Sequence, residues 1–156
     1  MKNPARFLLR VPVPWVFVLT YLIGVIPEHV LHRTISSTAG LVSAVAGAVL
    51  FALGAVIAGW GLVLFGKAKT TTVPGKLSGK LVTWGPYRFT RNPMYAGLVL
   101  AYLGEAGIQK QIWPVVLLPF MVAYLNWTVI PLEEAKLEEA FREEFIQYRL
   151  QVRRWF

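Results

Sequence analysis

The sequence predicts an all-α integral membrane protein: a bundle of about four transmembrane helices followed by a C-terminal cytoplasmic amphipathic helix. Three observations carry this. Of 156 residues, 56% are hydrophobic and only 15% are charged, against about 25% charged in an ordinary soluble domain. The charges are bunched between uncharged stretches: Val11 to Pro27, Thr34 to Gly66, Asn92 to Gly104 and Gln111 to Leu132. When these stretches are threaded through a bilayer, 14 of the 16 basic residues fall on one side.

A bilayer-spanning helix needs roughly 20 apolar residues. The first, second and fourth stretches meet this directly. The third does so if it continues through Glu105 towards Ile108. The expected spans are about 11–27, 38–65, 93–109 and 112–131, in a single membrane domain covering 1–156. A cleaved signal peptide is the alternative for the first stretch. Its apolar run is longer than a usual signal core, and no A-x-A site follows it.

Orientation follows from the basic residues, which favour cytoplasmic loops. Lys2, Arg6 and Arg10 precede the first span. Lys67, Lys69, Lys76, Lys80, Arg88 and Arg91 lie between the second and third. Lys136, Arg142, Arg149, Arg153 and Arg154 follow the fourth, leaving Arg33 and Lys110 outside. Both termini and the 66–92 loop are therefore expected in the cytoplasm. The net charge of +8 fits basic cytoplasmic loops better than nucleic-acid binding. Cysteine is absent and only His29 and His32 are present, which excludes disulfides, thiolate or multi-histidine metal centres and a cysteine nucleophile.

The second span carries small residues four apart, Gly40, Ala44, Ala48 and Ala52, with Gly47, Gly54, Ala55, Ala58, Gly59 and Gly61 besides. Small side chains let helices approach closely in lipid. The expected use is packing within the bundle, with a homodimer seam as the alternative.

The polar chemistry lies on the cytoplasmic side. In Leu81–Tyr95, Gly85-Pro86 is a turn signal. Asn92-Pro93 reads as a helix start, with Asn at the N-cap and Pro at the first helical position. That start points backbone amides at the membrane surface beside Arg91, an arrangement that favours anions. The plainer explanation is a juxtamembrane loop whose Arg and Tyr only anchor the interface.

After the fourth span, glutamates pair at 133/134, 138/139 and 143/144, with Leu137, Phe141 and Phe145 at helical spacing between them. A helix over 132–154 with one apolar stripe is expected. Glu138 and Arg142 are spaced as an i,i+4 pair. Glu133 and Glu134 would serve simple capping electrostatics, except that an uncompensated carboxylate at a membrane boundary is costly. Together the two segments make a bipolar site: Arg91 and helix amides at one end, Glu133 and Glu134 at the other, with Trp84, Tyr87 and Tyr95 as aromatic faces for a cation. S-adenosylmethionine, with its carboxylate, ammonium and sulfonium, fits such a site.

The segment Leu81-Val-Thr-x-Gly-Pro-Tyr-x-x-x-Arg-Asn-Pro-x-Tyr-x-Gly97, followed by Glu133-Glu-x-x-Leu137 and Phe141 to Tyr148, resembles the isoprenylcysteine carboxyl methyltransferase and phospholipid N-methyltransferase superfamily of membrane enzymes. The resemblance covers roughly 66–156. It implies an S-adenosylmethionine-dependent methyltransferase acting on a lipophilic, membrane-resident acceptor through an amine, hydroxyl, thiol or carboxylate. Leu81 and Val82 match the segment along the cofactor, Tyr87 a contacting tyrosine, and Pro93 and Tyr95 the element that closes around it. Glu133 matches the partner of the cofactor's ammonium group. Lys80, Asn92 and Met94 complete the implied cofactor set. Trp84, Arg88 and Val129 are implied on the substrate side, and Arg91 and Glu134 as catalytic, Glu134 being the nearest candidate base.

Three positions depart from the isoprenylcysteine enzymes. Asn92 and Gly79 stand where they carry His. Val129 stands where they carry an Arg resembling a substrate-carboxylate clamp, so a carboxylate acceptor is disfavoured. From another class, a non-enzymatic adaptor binding anionic lipid headgroups through the basic loop is the alternative. A small transporter is disfavoured because no ionisable residue lies deep in the longer spans.

Overall fold

The computed structural model describes residues 12–31, 37–67 and 80–156. Lys2, Arg6, Arg10, Arg33, Lys69, Lys76 and Gly79, and with them residues 68–79 of the 66–92 loop, lie outside the described residues. The described chain is all helical, without strands. Its elements are α1 (Val13–Leu31), α2 (Ser37–Lys67), a 3-10 turn (Gly85–Arg88), α3 (Pro93–Gln109), α4 (Trp113–Tyr124), a π-helical segment (Leu125–Val129), α5 (Ile130–Phe141) and α6 (Glu143–Gln151).

Two helical stretches are long and apolar enough to cross a bilayer: Gly40–Lys67, and the continuous run Trp113–Phe141 formed by α4, the π segment and α5. Val13–Pro27 is a shorter apolar helix. The outward faces of these helices are apolar. On α2, Leu41, Val42, Val45, Val49 and Val56 are all more than half exposed. A water-soluble monomer rarely leaves so large an apolar surface uncovered. Such a surface suits lipid.

The helices α2 and α3 pack antiparallel along a glycine seam. Gly40, Gly47, Gly54 and Gly61 recur every seven residues, and all four are buried. A methyl group on Gly54 would sit 2.4 Å from the Gly97 carbonyl oxygen and the Ala101 nitrogen, and one on Gly104 would sit 2.3 Å from the Phe51 nitrogen. Backbone thus meets backbone, as only small residues allow. The seven-residue period matches two helical turns closely enough to keep one face towards a partner. The four-residue stripe expected to pack does not make this seam: Ala48 and Ala52 are exposed. It slips round the helix, whereas the glycine repeat stays on one side.

On the other side of α3 lie α1 and α4. Tyr102 meets Tyr21 and Phe17 edge-on, with ring centroids at 5.2 and 6.2 Å. Its hydroxyl donates to the Pro114 carbonyl at 2.9 Å. The main core gathers Val13, Phe17, Tyr95, Tyr102, Leu118, Met121, Leu125, Val129 and Ile130. It therefore runs from α1 to the π segment and reaches the side chain of Tyr95 at the start of α3.

The expected single helix over 132–154 is interrupted. Arg142 takes φ +43°, outside helical space, and separates α5 from α6. An unbranched but bulky residue is strained there. The expected Glu138–Arg142 pair gives way to Glu138–Arg149 at 2.9 Å, which bridges the break. Helix α6 ends at Gln151, and Val152 is extended.

Candidate functional site

The site is assembled from the segment 80–92, the first turn of α3, the start of α5 and the extended tail after α6. The loop is shaped by Gly85, whose φ of +64° favours glycine. This turn tucks Tyr87 against Phe65 of α2, ring centroids 5.5 Å apart. Leu81, Val82 and Tyr87 are all buried. Leu81 packs with Phe145 and Tyr148, flanked by the Leu137 and Phe141 stripe, and Val82 and Tyr87 pack with Leu64. The Tyr148 hydroxyl donates to the Tyr87 carbonyl at 2.8 Å. Burial drives the Tyr87 and Tyr148 hydroxyls well above the ordinary tyrosine range, so both stay protonated.

At the head of α3, Asn92 occupies the N-cap and Pro93 the first turn, but the Asn92 side chain does not cap. Its amide donates instead to the Arg154 carbonyl at 3.0 Å. Pro93 is buried. Met94 lies over the seam glycine Gly61, where a methyl group would sit 2.6 Å from the Met94 Cγ.

The two adjacent glutamates face different partners. Glu133 accepts a 2.6 Å hydrogen bond from the Tyr95 hydroxyl. No ion pair involves Glu133 among the described residues. Burial raises its pKa, the Tyr95 hydrogen bond and Lys136 oppose that, and Glu134 adds to it. Glu134 lies between two guanidinium groups, Arg91 at 2.8 Å and Arg154 at 2.6 Å. Burial would push its pKa up, but the hydrogen bonds from Arg154 and Arg91 prevail and hold it below the usual carboxylate range.

Arg91, expected at the anion-binding end, is turned inward. Its Nε and Nη2 both donate to Glu134 Oε1, at 3.1 and 2.8 Å. Its Nη1 donates to the carbonyls of Val152 and Arg149. Its backbone N–H donates to the Arg153 carbonyl at 2.9 Å. The structure thus joins Arg91 to Glu134 directly. The expected free cation at the head of α3 is absent because that cation is committed to the protein.

Of the other expected residues, Val129 is buried in the main core with Tyr95. Trp84 is partly exposed, with the Lys80 ammonium 5.8 Å from its ring centroid. Arg88 is exposed at the end of the 3-10 turn, beside the exposed Phe89. Sequence reasoning missed Thr90, Asn126, Arg154 and Trp155. Thr90 is almost fully buried and donates to the Arg154 carbonyl at 2.9 Å. Arg154 also reaches Asn126, and so does the Trp155 indole N–H at 3.2 Å. A signal for Asn126 existed: it is the one amide deep inside the fourth uncharged stretch, and a polar group there needs a partner.

This layer offers a partly buried carboxylate with a hydroxyl donor and no ion pair among the described residues, beneath aromatic and aliphatic walls. It can hold a cationic ligand. The sequence model of the phospholipid methyltransferase family matches residues 42–144, from within α2 to the start of α6. No curated protein and no solved structure matches the chain.

Proposed function

The chain belongs to the phospholipid methyltransferase family, within the isoprenylcysteine carboxyl methyltransferase superfamily, and we propose that it carries a methyl group from S-adenosylmethionine to a lipophilic acceptor resident in the bilayer. The observation that carries the cofactor reading is Glu133: a partly buried acid, hydrogen-bonded by Tyr95 and in no ion pair among the described residues, with only the more distant Lys136 to offset its charge. A carboxylate partly withdrawn from water favours a cationic partner, and the ammonium group of the cofactor is one. Leu81, Val82, Tyr87, Pro93 and Met94 supply apolar and aromatic walls, and Lys80 and Asn92 lie at the ends of the same segment.

When bound, the cofactor supplies a methyl group already activated by a cationic sulfur. What remains for the protein is alignment and exclusion of water, which can together provide much of a rate enhancement. We assign Glu134 and Arg91 to holding the frame rather than to proton transfer. Both Glu134 oxygens already accept from arginines, and a carboxylate held ionised in this way is a weak base.

For the acceptor we favour an amine on a lipid. Arg91 and Arg154 are committed to Glu134, and Val129 offers no charge, so a substrate carboxylate would lack a partner in this layer. Exposed Trp84, Phe89 and Arg88 would meet headgroups at the interface, where aromatic and basic residues anchor. Four crossings, with spans near 11–27, 38–65, 93–109 and 112–131, place this layer, both termini and the C-terminal helices on the cytoplasmic side. The test is transfer of labelled methyl from S-adenosylmethionine to a total lipid extract by the purified chain. Label in the lipid phase, lost in Glu133→Gln, is the expected result. An absence of both cofactor binding and transfer would favour the headgroup-binding adaptor.

A further inference from the structure

The fourth apolar helix contains a register step. In its π segment the Ile130 N–H donates to the Leu125 carbonyl, five residues back. By the same register the Asn126 carbonyl would take the amide of residue 131, which is proline and has none. An unpaired carbonyl is costly at membrane depth. Arg154 fills the gap: its Nη1 donates to the Asn126 carbonyl at 3.2 Å and to the Asn126 side-chain oxygen at 3.3 Å. The same guanidinium donates to both oxygens of Glu134, at 3.3 and 2.6 Å. Arg154 therefore holds the helix on both sides of the step. It also lies beyond the region that the family model matches, which ends at residue 144.

The step has a geometric consequence. A π segment accommodates one extra residue, so the helix beyond it is turned back by about 100° relative to an uninterrupted α-helix. That is the angle between successive residues. Without the step, Leu132 would take the direction that Glu133 now has, and Glu133 the direction of Glu134. Leu132 would then face Tyr95, and the carboxylate would face the arginines.

We propose that Arg154 is a positioning residue: by bridging the Asn126 carbonyl and Glu134 it holds the π step that turns Glu133, rather than Leu132, towards Tyr95. Its value to function rests on the reading above, in which Glu133 meets the cationic part of the cofactor. The planar fork suits this role better than an ammonium, because it presents separate nitrogens to Asn126 and to each Glu134 oxygen, whereas a lysine offers one nitrogen at a different reach.

The chain has no cysteine, which allows a direct test on the full protein in lipid nanodiscs. Tyr95→Cys is combined with either Glu133→Cys or Leu132→Cys, and each pair is treated with a short bis-methanethiosulfonate linker. With Arg154 present, the 95–133 pair should link faster than the 95–132 pair by about tenfold. In Arg154→Gln and in Arg154→Lys the preference should fall to parity or reverse. An unchanged preference in both overturns the proposal. Should the Gln variant not fold, the Lys variant alone decides.

A second arm measures S-adenosylmethionine affinity. Arg154→Gln should weaken it about tenfold, and should add little on top of Glu133→Gln, because it acts through that residue. Fully additive losses, as a merely structural role would give, overturn the positioning role. If Glu133→Gln leaves cofactor affinity unchanged, the cofactor reading of Glu133 fails, and the linking ratio judges the register step by itself.

Discussion

The Tyr95 hydroxyl donates to Glu133 at 2.6 Å, while the next residue, Glu134, is enclosed by Arg91 and Arg154 at 2.8 and 2.6 Å. Adjacent carboxylates thus have opposite surroundings. Glu133 is partly buried beside a neutral donor, and Glu134 is buried and neutralised twice over. Only the first is left without an ion pair among the described residues, so it has charge to offer a ligand.

Glu133→Gln should therefore weaken S-adenosylmethionine binding by more than about tenfold, since removing one partner of a desolvated charge pair costs about 2–5 kcal/mol. Glu143, exposed on α6 and bonded to Gln147 at 3.1 Å, serves as the control, and Glu143→Gln should change little. Calorimetric titration of both variants checks this. Equal losses at the two positions would reduce Glu133 to a helix-terminus charge.

Binding should also depend on pH in a stated direction. Burial raises the Glu133 pKa, and cofactor binding needs its ionised form. Affinity should then begin to fall, as pH drops, above the range of an ordinary glutamate, which titrates near about 4.3. The Tyr95 hydrogen bond opposes the rise, so Tyr95→Phe should move this acid limb to higher pH. Glu134 behaves oppositely. Its pKa is lowered in the fold, so its ion pairs add stability above the ordinary carboxylate range, and that stability is lost as pH falls through the lowered value. Thermal unfolding across an acid series separates the two effects.

How much of this was legible in the sequence depends on the distance between partners. The apolar stretches, the Gly85 turn and the Pro93 helix start depend on neighbours in the chain, and each can be read from its own few residues. All four seam glycines, Gly40, Gly47, Gly54 and Gly61, stand among the small residues expected to pack, but their seven-residue period is masked by the four-residue spacing of Ala44, Ala48 and Ala52. The inward turn of Arg91 could not be read, because its partners Glu134 and Val152 lie 43 and 61 residues away. The π step was hidden for a similar reason. Pro131 removes an amide locally, but the group that replaces it, Arg154, is 28 residues from Asn126.

The seam makes a sharp packing prediction. Gly54→Ala puts a methyl group against the backbone of α3, whereas a methyl group on Gly59, in the same helix, would meet nothing within 4 Å. Gly54→Ala should destabilise by about 1–3 kcal/mol, as overpacking does. Gly59→Ala should be neutral or slightly stabilising, because alanine is the better helix former. Unfolding midpoints in detergent compare the two. Equal behaviour would remove the seam's claim to hold α2 on α3.

Topology is open to chemical labelling. On the proposed orientation, Lys110, which follows α3, is external, and Gln151, at the end of α6, is cytoplasmic. Both are exposed. In the cysteine-free chain, Lys110→Cys should react with an impermeant thiol reagent in intact cells. Gln151→Cys should react only after the membrane is opened. Labelling of both in intact cells would overturn the four-crossing arrangement.

The last prediction concerns the acceptor. The layer holds two guanidinium groups, both committed to Glu134, and Val129, one turn before Glu133, is 4% exposed among apolar neighbours. A substrate carboxylate entering here would be desolvated without a partner, at a cost of several kcal/mol. A neutral lipid amine avoids that cost. Methyl transfer to an aminophospholipid should therefore exceed transfer to a prenylated cysteine by at least about a hundredfold, the equivalent of about 3 kcal/mol. Val129→Arg places a cation in the layer and should shift the ratio of the two rates towards the carboxylate. Because both rates are taken on one variant, any loss of folded protein cancels from the ratio. A wild-type ratio near unity, or one that favours the carboxylate, would refute the assignment and point to another cation, such as Arg88, as the clamp.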